Sequence, residues 1–337
     1  MERSFDLEAA TFTGLVDLAA AKIGGVALYA TDEFFAEKEN LLKPGRGIYL
    51  PDEYTDRGKW MDGWETRRKR APGYDYCIVQ LGAPGEIRGV DIDTNHFLGN
   101  HPPYASVDAV CCDDEVSADD LREREWTEIL PKVSLKHGSQ NIFSINSDKR
   151  WTHVRLNIYP DGGVARLKIY GVVRKRWDLH SEDQADLAAI ENGGLVVAAS
   201  DMFFGNKNNM IMPGRALNMG DGWETRRRRD PGYDWSIVQL GHTGILTKIE
   251  IDTNHYKGNF PDSCWIEACL APGKAIDSLN HAQFEWKEVL AQTKLQPDRR
   301  QYFSNEIVNR GPWSHLRLNI VPDGGISRFR AWGTLVK

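Results

Sequence analysis

Short runs in which apolar and polar residues alternate recur along the chain, each bounded by Gly, Pro or Asp. Ile78-Val79-Gln80-Leu81-Gly82, Val90-Asp91-Ile92-Asp93-Thr94 and Val154-Arg155-Leu156-Asn157-Ile158 are three of them. A period of two with many β-branched residues predicts half-buried antiparallel strands. Alternation also assigns faces, because successive side chains leave a strand on opposite sides. Val90 and Ile92 are expected in the core with Asp91, Asp93 and Asn95 opposite, and Val154, Leu156 and Ile158 in the core with His153, Arg155 and Asn157 turned outward. Sharp turns such as Pro160-Asp161-Gly162-Gly163 and the scarcity of helical periodicity predict an all-β sandwich or jelly roll, not a parallel α/β sheet.

The pattern occurs twice. Asp62 to Arg70 (DGWETRRKR) and Asp221 to Arg229 (DGWETRRRR) agree at eight of nine positions. PGYDYCIVQLG from Pro72 and IDTNHFLGN from Ile92 recur as PGYDWSIVQLG from Pro231 and IDTNHYKGN from Ile251, at the same offset of 159 residues. WTHVRLNIYPDGGVARLKIYG from Trp151 recurs as WSHLRLNIVPDGGISRFRAWG from Trp313. Upstream, Asp17-Leu18-Ala19-Ala20 and Asp186-Leu187-Ala188-Ala189 each run into Gly-Gly, read as an Asp-led helical turn stopped by glycine. The chain is thus predicted to be a duplication, 1–176 and 177–337, joined through the charged stretch from Arg174 to Asp183. About ten extra residues around Ile48 to Lys59 occur in the first copy alone and read as a loop insertion.

A length of 337 residues suits two such domains. A formal net charge of −6 argues against nucleic acid as a partner. The start Met1-Glu2-Arg3-Ser4 has no leader-like apolar segment and no later apolar run is membrane-length, so a cytoplasmic protein without a membrane partner is expected. Five cysteines without C-x-x-C spacing predict reduced thiols and no structural zinc.

The order DGWETRR, PGYD, IVQLG, IDTNH followed by GN, and RLNI with PDGG, present twice over nearly the whole chain, resembles the allantoicase family. That resemblance implies a galactose-binding-like jelly roll in each repeat. It also implies a hydrolase acting on carbon–nitrogen bonds of linear amidines, which cleaves allantoate with water into ureidoglycolate and urea, and a homo-oligomer. Allantoate carries a carboxylate and two ureido groups on one carbon, so its site needs a planar cation and fixed donors and acceptors.

Arg67 or Arg68, with Arg226 or Arg227, and Arg155 or Arg317, can supply the carboxylate fork; Arg67 and Arg226 are the favoured pair. Glu65 and Glu224 are the only carboxylates within the matched Arg-rich block and, two residues before Arg67 and Arg226, would share their side of an extended chain. They are the candidate proton-transfer groups, with His96 and His255 as further catalytic candidates. Asp93 and Asn95, with Asp252 and Asn254, complete the substrate-binding candidates at a strand end. The plainer alternatives are a charged edge strand for the arginines, a surface ion pair for the glutamates, and local turn bonding for the Asp-Asn pairs. His153 and His315 are expected to pack or cap, and Asp161-Gly162-Gly163 to serve only the turn. Asp93 and His96 offer possible ligands, but no clustered His/Cys pattern calls for a metal, and a metal-independent reaction without cofactor is expected. The rival reading is a non-catalytic jelly-roll module that binds a carbohydrate or another small ligand.

Overall fold

The computed structural model describes residues 12–180 and 183–336. Residues 1–4, read above for a leader, and residues 181–182 of the predicted linker lie outside the described residues. The chain divides into two compact units between Arg174 and Lys175. Among the described residues no helix is long and apolar enough to cross a membrane, and all five cysteines are free thiols.

The first unit contains β1 (Val16–Asp17), β2 (Val26–Ala30), β3 (Tyr54–Thr55), β4 (Gly58–Lys59), β5 (Trp64–Glu65), β6 (Asp75–Asp93) and β7 (Tyr104–Val110). A short helix α1 (Ala118–Glu123) precedes β8 (Thr127–Ser134), β9 (Gln140–Ser144), β10 (Arg150–Tyr159), β11 (Gly163–Val164) and β12 (Arg166–Val173). The second unit repeats the plan: β13 (Ala185–Asp186), β14 (Leu195–Ala199), β15 (Trp223–Glu224), β16 (Asp234–Asp252) and β17 (Ser263–Cys269). There follow β18 (Lys287–Lys294), β19 (Arg300–Phe303), β20 (Trp313–Val321), β21 (Gly325–Ile326) and β22 (Arg328–Leu335).

In each unit eight antiparallel strands share one bent sheet, ordered β1-β12-β6-β10-β7-β8 with β2 and β9 also on β6, and the second unit has the same order. β6 is 19 residues long, several times a usual strand, because it serves both layers. Its first half pairs with β2 and β10 and its second half with β9 and β12. Val90, Ile92, Val154, Leu156 and Ile158 are buried between the layers, as alternation predicts.

The outward faces differ from expectation. His153 and Asn157 are buried and Arg155 is half-buried, because the segment carrying α1 folds over them, with Leu121 and Trp126 packed against Ile78. The donors of Arg155 and Asn157 survive burial because one carboxylate takes them up, while Asn157 Oδ1 has no hydrogen-bond partner among the described residues. Asp108 Oδ2 accepts from Arg155 Nε and Nη2 (3.1 and 2.8 Å) and from Asn157 Nδ2 (2.8 Å). In the second unit Glu267 Oε2 takes that place, accepting from Arg317 (3.0 and 2.7 Å) and Asn319 (2.9 Å).

Asp91 and Asp93 are likewise fully buried. Burial, opposed by the Gln140 amide and reinforced by Asp93, pushes the Asp91 carboxyl up to about 6. The predicted Asp-led turns form as single 3-10 turns, Ala21–Ile23 and Ile190–Asn192, each ended by a left-handed glycine. Asp17 and Asp186 stand on strands before them and accept backbone N–H groups from the closing strand instead of capping a helix.

Candidate active site

β5 is only two residues long, yet both are tied down. It pairs with β11 on one side and is bridged by Ala36 on the other. Trp64 is fully buried and its indole N–H donates to Asp32 O (2.8 Å). Alternation then sends Glu65 the other way, half-buried, into a loop cluster. Asn100 Nδ2 donates to Glu65 Oε1 (2.6 Å). No cation neutralises this carboxyl among the described residues, and burial, opposed by the Asn100 bond, raises its pKa above the ordinary value.

The Asp161-Gly162-Gly163 turn, expected only to reverse the chain, builds this site. Gly163 N donates to Asn100 O (2.8 Å), so the turn fixes the residue that holds Glu65. A Cβ on Gly162 would lie 2.7 Å from that same carbonyl, at a φ of +140°. Thr66 and Gly162 are stitched by Thr66 N to Gly162 O (3.2 Å) and Gly162 N to Thr66 Oγ1 (3.1 Å). Asp161 Oδ2 accepts from Lys69 N (2.7 Å), which sets the path of the segment carrying Arg68.

Glu65 and Asn100 line two adjoining cavities. One, of about 560 Å³, also has Arg68, Lys69 and His101 in its wall. The other, of about 590 Å³, has Tyr49, Lys59, Met61 and His96. The second unit has a cavity of about 500 Å³ with Glu224, Arg227, Arg228 and Asn259, and Asn259 Nδ2 donates to Glu224 Oε1 (2.5 Å). Lys69 and Arg228 are engaged by Asp75 and Asp234 (2.8 and 3.0 Å). Among the described residues Arg68 and Arg227 have no ion-pair partner, so in each unit an unneutralised guanidinium and a carboxyl line one cavity. In the first unit, a planar fork sharing a cavity wall with the raised-pKa carboxyl of Glu65 suits a small carboxylate whose leaving group must be protonated.

The sequence model of the allantoicase repeat matches residues 16–174 and 185–336, nearly the whole of both units. The chain belongs to the allantoicase family. It is 50% identical over 323 residues to a probable allantoicase of Burkholderia mallei, covering 96% of this chain and 95% of that one. It is also 50% identical over 317 residues to the allantoicase of Dictyostelium discoideum, covering 93% and 85%. The crystal structure of allantoicase from Saccharomyces cerevisiae superposes with a TM-score of 0.79 at 35% identity, covering 99% of this chain and 98% of that one.

Within this allantoicase fold the residues singled out by sequence divide sharply. Glu65 and Glu224 line cavities, as does His96. Arg67 and Arg226 do not: both are exposed, their guanidinium groups paired with Asp32 and Asp201 (2.6 and 3.2 Å). The chain leaves β-geometry after Glu65, so strict alternation ends there and Arg68 faces the cavity instead. Arg155 and Arg317 lie under the outer cap, stacked on Trp126 and Trp286 (5.0 and 4.5 Å).

Asp93 is committed to Arg46, whose Nε and Nη2 donate to its two oxygens (2.7 and 2.8 Å), and to Asn95 N (2.9 Å). Asn95 Nδ2 donates to Gly47 O (2.8 Å). Asp252 and Asn254 repeat this with Arg215 (3.4 Å) and Ala216 O (3.3 Å). These four residues therefore brace a loop. His96 and His255 both have a left-handed φ, 68° and 70°. The His96 ring stacks on Tyr49 (5.6 Å), whereas His255 Nε2 is hydrogen bonded with Ala216 O (2.9 Å). Among the described residues no three His, Cys, Asp or Glu side chains assemble into a metal-holding group.

Asn100, Asn259, Arg46 and Arg215 carry structure that the sequence reading passed over. The signal was present: Pro44-Gly45-Arg46 recurs as Pro213-Gly214-Arg215, and Asn100 and Asn259 end a matched block.

Proposed function

We propose that the chain hydrolyses allantoate to ureidoglycolate and urea at the Glu65–Asn100 site, with Glu65 as acid and then base and Arg68 holding the substrate carboxylate. The single observation that carries this reading is a half-buried carboxyl whose side-chain partner is a neutral amide, in a cavity wall with an unpaired guanidinium.

The scissile bond joins nitrogen to a tetrahedral carbon bearing a second ureido nitrogen. Protonation of the departing urea nitrogen by Glu65 lets that C–N bond break while the remaining ureido nitrogen forms a C=N bond and sheds its own proton. Water then adds to the carbon, its oxygen becoming the hydroxyl of ureidoglycolate, as one water proton passes to Glu65 and the nitrogen of the C=N bond is reprotonated. No covalent enzyme intermediate is involved. The reading is also metal-independent, supported by Asp93 being occupied by Arg46 and His96 being stacked on Tyr49. Activity lost to a chelator and restored by one divalent ion would contradict that part.

In oxygen-labelled water, purified protein is expected to release urea and ureidoglycolate in equal amounts, with label in the ureidoglycolate hydroxyl. Label in urea would contradict the mechanism, and absence of turnover would favour a binding module.

A further inference from the structure

The two units clamp the same loop in the same way but close it differently. At its base Arg46 and Arg215 grip Asp93 and Asp252. At the far end Asp62 Oδ2 accepts from Ile48 N (3.0 Å) and Asp221 Oδ2 from Leu217 N (3.1 Å). Between the clamps lie fifteen residues, 47–61, in the first unit and five, 216–220, in the second.

The longer loop is internally braced. It contains the β3–β4 pair, Trp60 N donates to Glu53 O (3.1 Å), and Lys59 donates to Pro51 O. The Lys59 ammonium lies over the rings of Tyr54 and Tyr49 (4.5 and 5.1 Å). Arg57 donates to Phe34 O (3.1 Å) and covers the Phe34 ring (5.3 Å).

What the loop covers in one unit is bare in the other. Phe34 and Phe35 are 39% and 37% exposed, whereas Phe203 and Phe204 are 64% and 60% exposed. The cavity lobe walled by Tyr49, Lys59 and Met61 shares Glu65 and Asn100 with the Arg68 lobe. In the second unit the residues for an anion are kept, Arg227 with Glu224 and Asn259, but its shorter loop has no counterpart of Tyr49 or Lys59, and Phe260 stands where the first unit has His101.

Resting on the function proposed above, we infer that turnover is confined to the first unit, where the loop 47–61 holds one ureido arm while Arg68 holds the carboxylate, and that the second unit is an accessory site that binds the same small ureido acid without turning it over. A substrate gripped at two points has one C–N bond fixed against Glu65. A substrate gripped by its carboxylate alone leaves both arms in water. Lys59, whose ammonium has donors beyond the one given to Pro51 O, sets the preference for a ureido oxygen, with Tyr49 beside it in the same wall.

Three proteins test this: wild type, Glu65→Gln, and Glu65→Gln/Glu224→Gln. Glutamine keeps the oxygen that accepts from Asn100 or Asn259, so the fold is preserved, and thermal melts check it. The single variant is expected to lose as much kcat as the double variant. If both units turned over, the single variant would retain roughly half the wild-type rate through Glu224, as independent sites contribute additively, and the inference would fall while the proposed function stood. If the double variant kept full activity, the acid–base role proposed for Glu65 would fail, while hydrolysis of allantoate would stand. Lys59→Met is expected to raise KM for allantoate at least tenfold; an unchanged KM would remove the loop from substrate binding. Calorimetric titration of Glu65→Gln with allantoate should count two sites per chain, and one after adding Arg227→Gln. A single site before that change would overturn the accessory site.

Discussion

A chain carrying both Glu65→Gln and Glu224→Gln should release urea from allantoate about 100- to 10,000-fold more slowly than wild type, the usual range for removing a positioned acid–base group. The fold should be unaffected, because each glutamate makes its side-chain bond through an oxygen that glutamine retains. The wild-type rate should also report the raised pKa of Glu65. A general acid works while protonated, so kcat/KM should fall as pH rises through that pKa, and the falling limb should lie above the ordinary carboxylate range. A double variant within tenfold of wild type, or a rate flat across that limb, would contradict this role.

Asp62→Ala should destabilise the first unit by about 3–5 kcal/mol, the cost of stranding a buried charge by removing its partner. The Arg166 side chain is 2% exposed and Asp62 is 5% exposed, with Nη2 to Oδ2 at 2.6 Å. Burial opposes ionisation of Asp62, yet Arg166 and the Ile48 N–H hold its carboxyl below the ordinary value. Alanine removes the charge and also the acceptor for Ile48 N, so activity should drop as the loop loses its clamp. Two compact units need not unfold together, so urea denaturation should resolve the first-unit transition; a shift under about 1 kcal/mol, the level of an exposed ion pair, would refute the argument.

Much of this architecture was legible in the sequence because strand periodicity and duplication both leave long-range marks. Val154, Leu156 and Ile158 read as core and are core. Their neighbours His153 and Asn157 read as outward, correctly as to side but not as to solvent, since the cap that buries them is signalled by residues far along the chain. Asp108, which accepts from Arg155 and Asn157, is 47 and 49 residues away. The site was half legible. Glu65 stood out as a carboxylate in a basic block, but choosing between Arg67 and Arg68 depended on where strand geometry stops, which alternation does not encode. Asn100 acquires meaning only when the distant Gly162-Gly163 turn closes on it.

A crystal structure of the Glu65→Gln/Glu224→Gln protein soaked with allantoate bears most directly on the site. In the first unit the substrate carboxylate is predicted against the Arg68 guanidinium, a ureido arm against Tyr49 and Lys59, and the leaving nitrogen about 2.6–3.2 Å from the substituted side chain at position 65. Allantoate held instead by Arg67 with Asp32, or by Arg155 beneath the outer cap, with the cavity at position 65 empty, would contradict it.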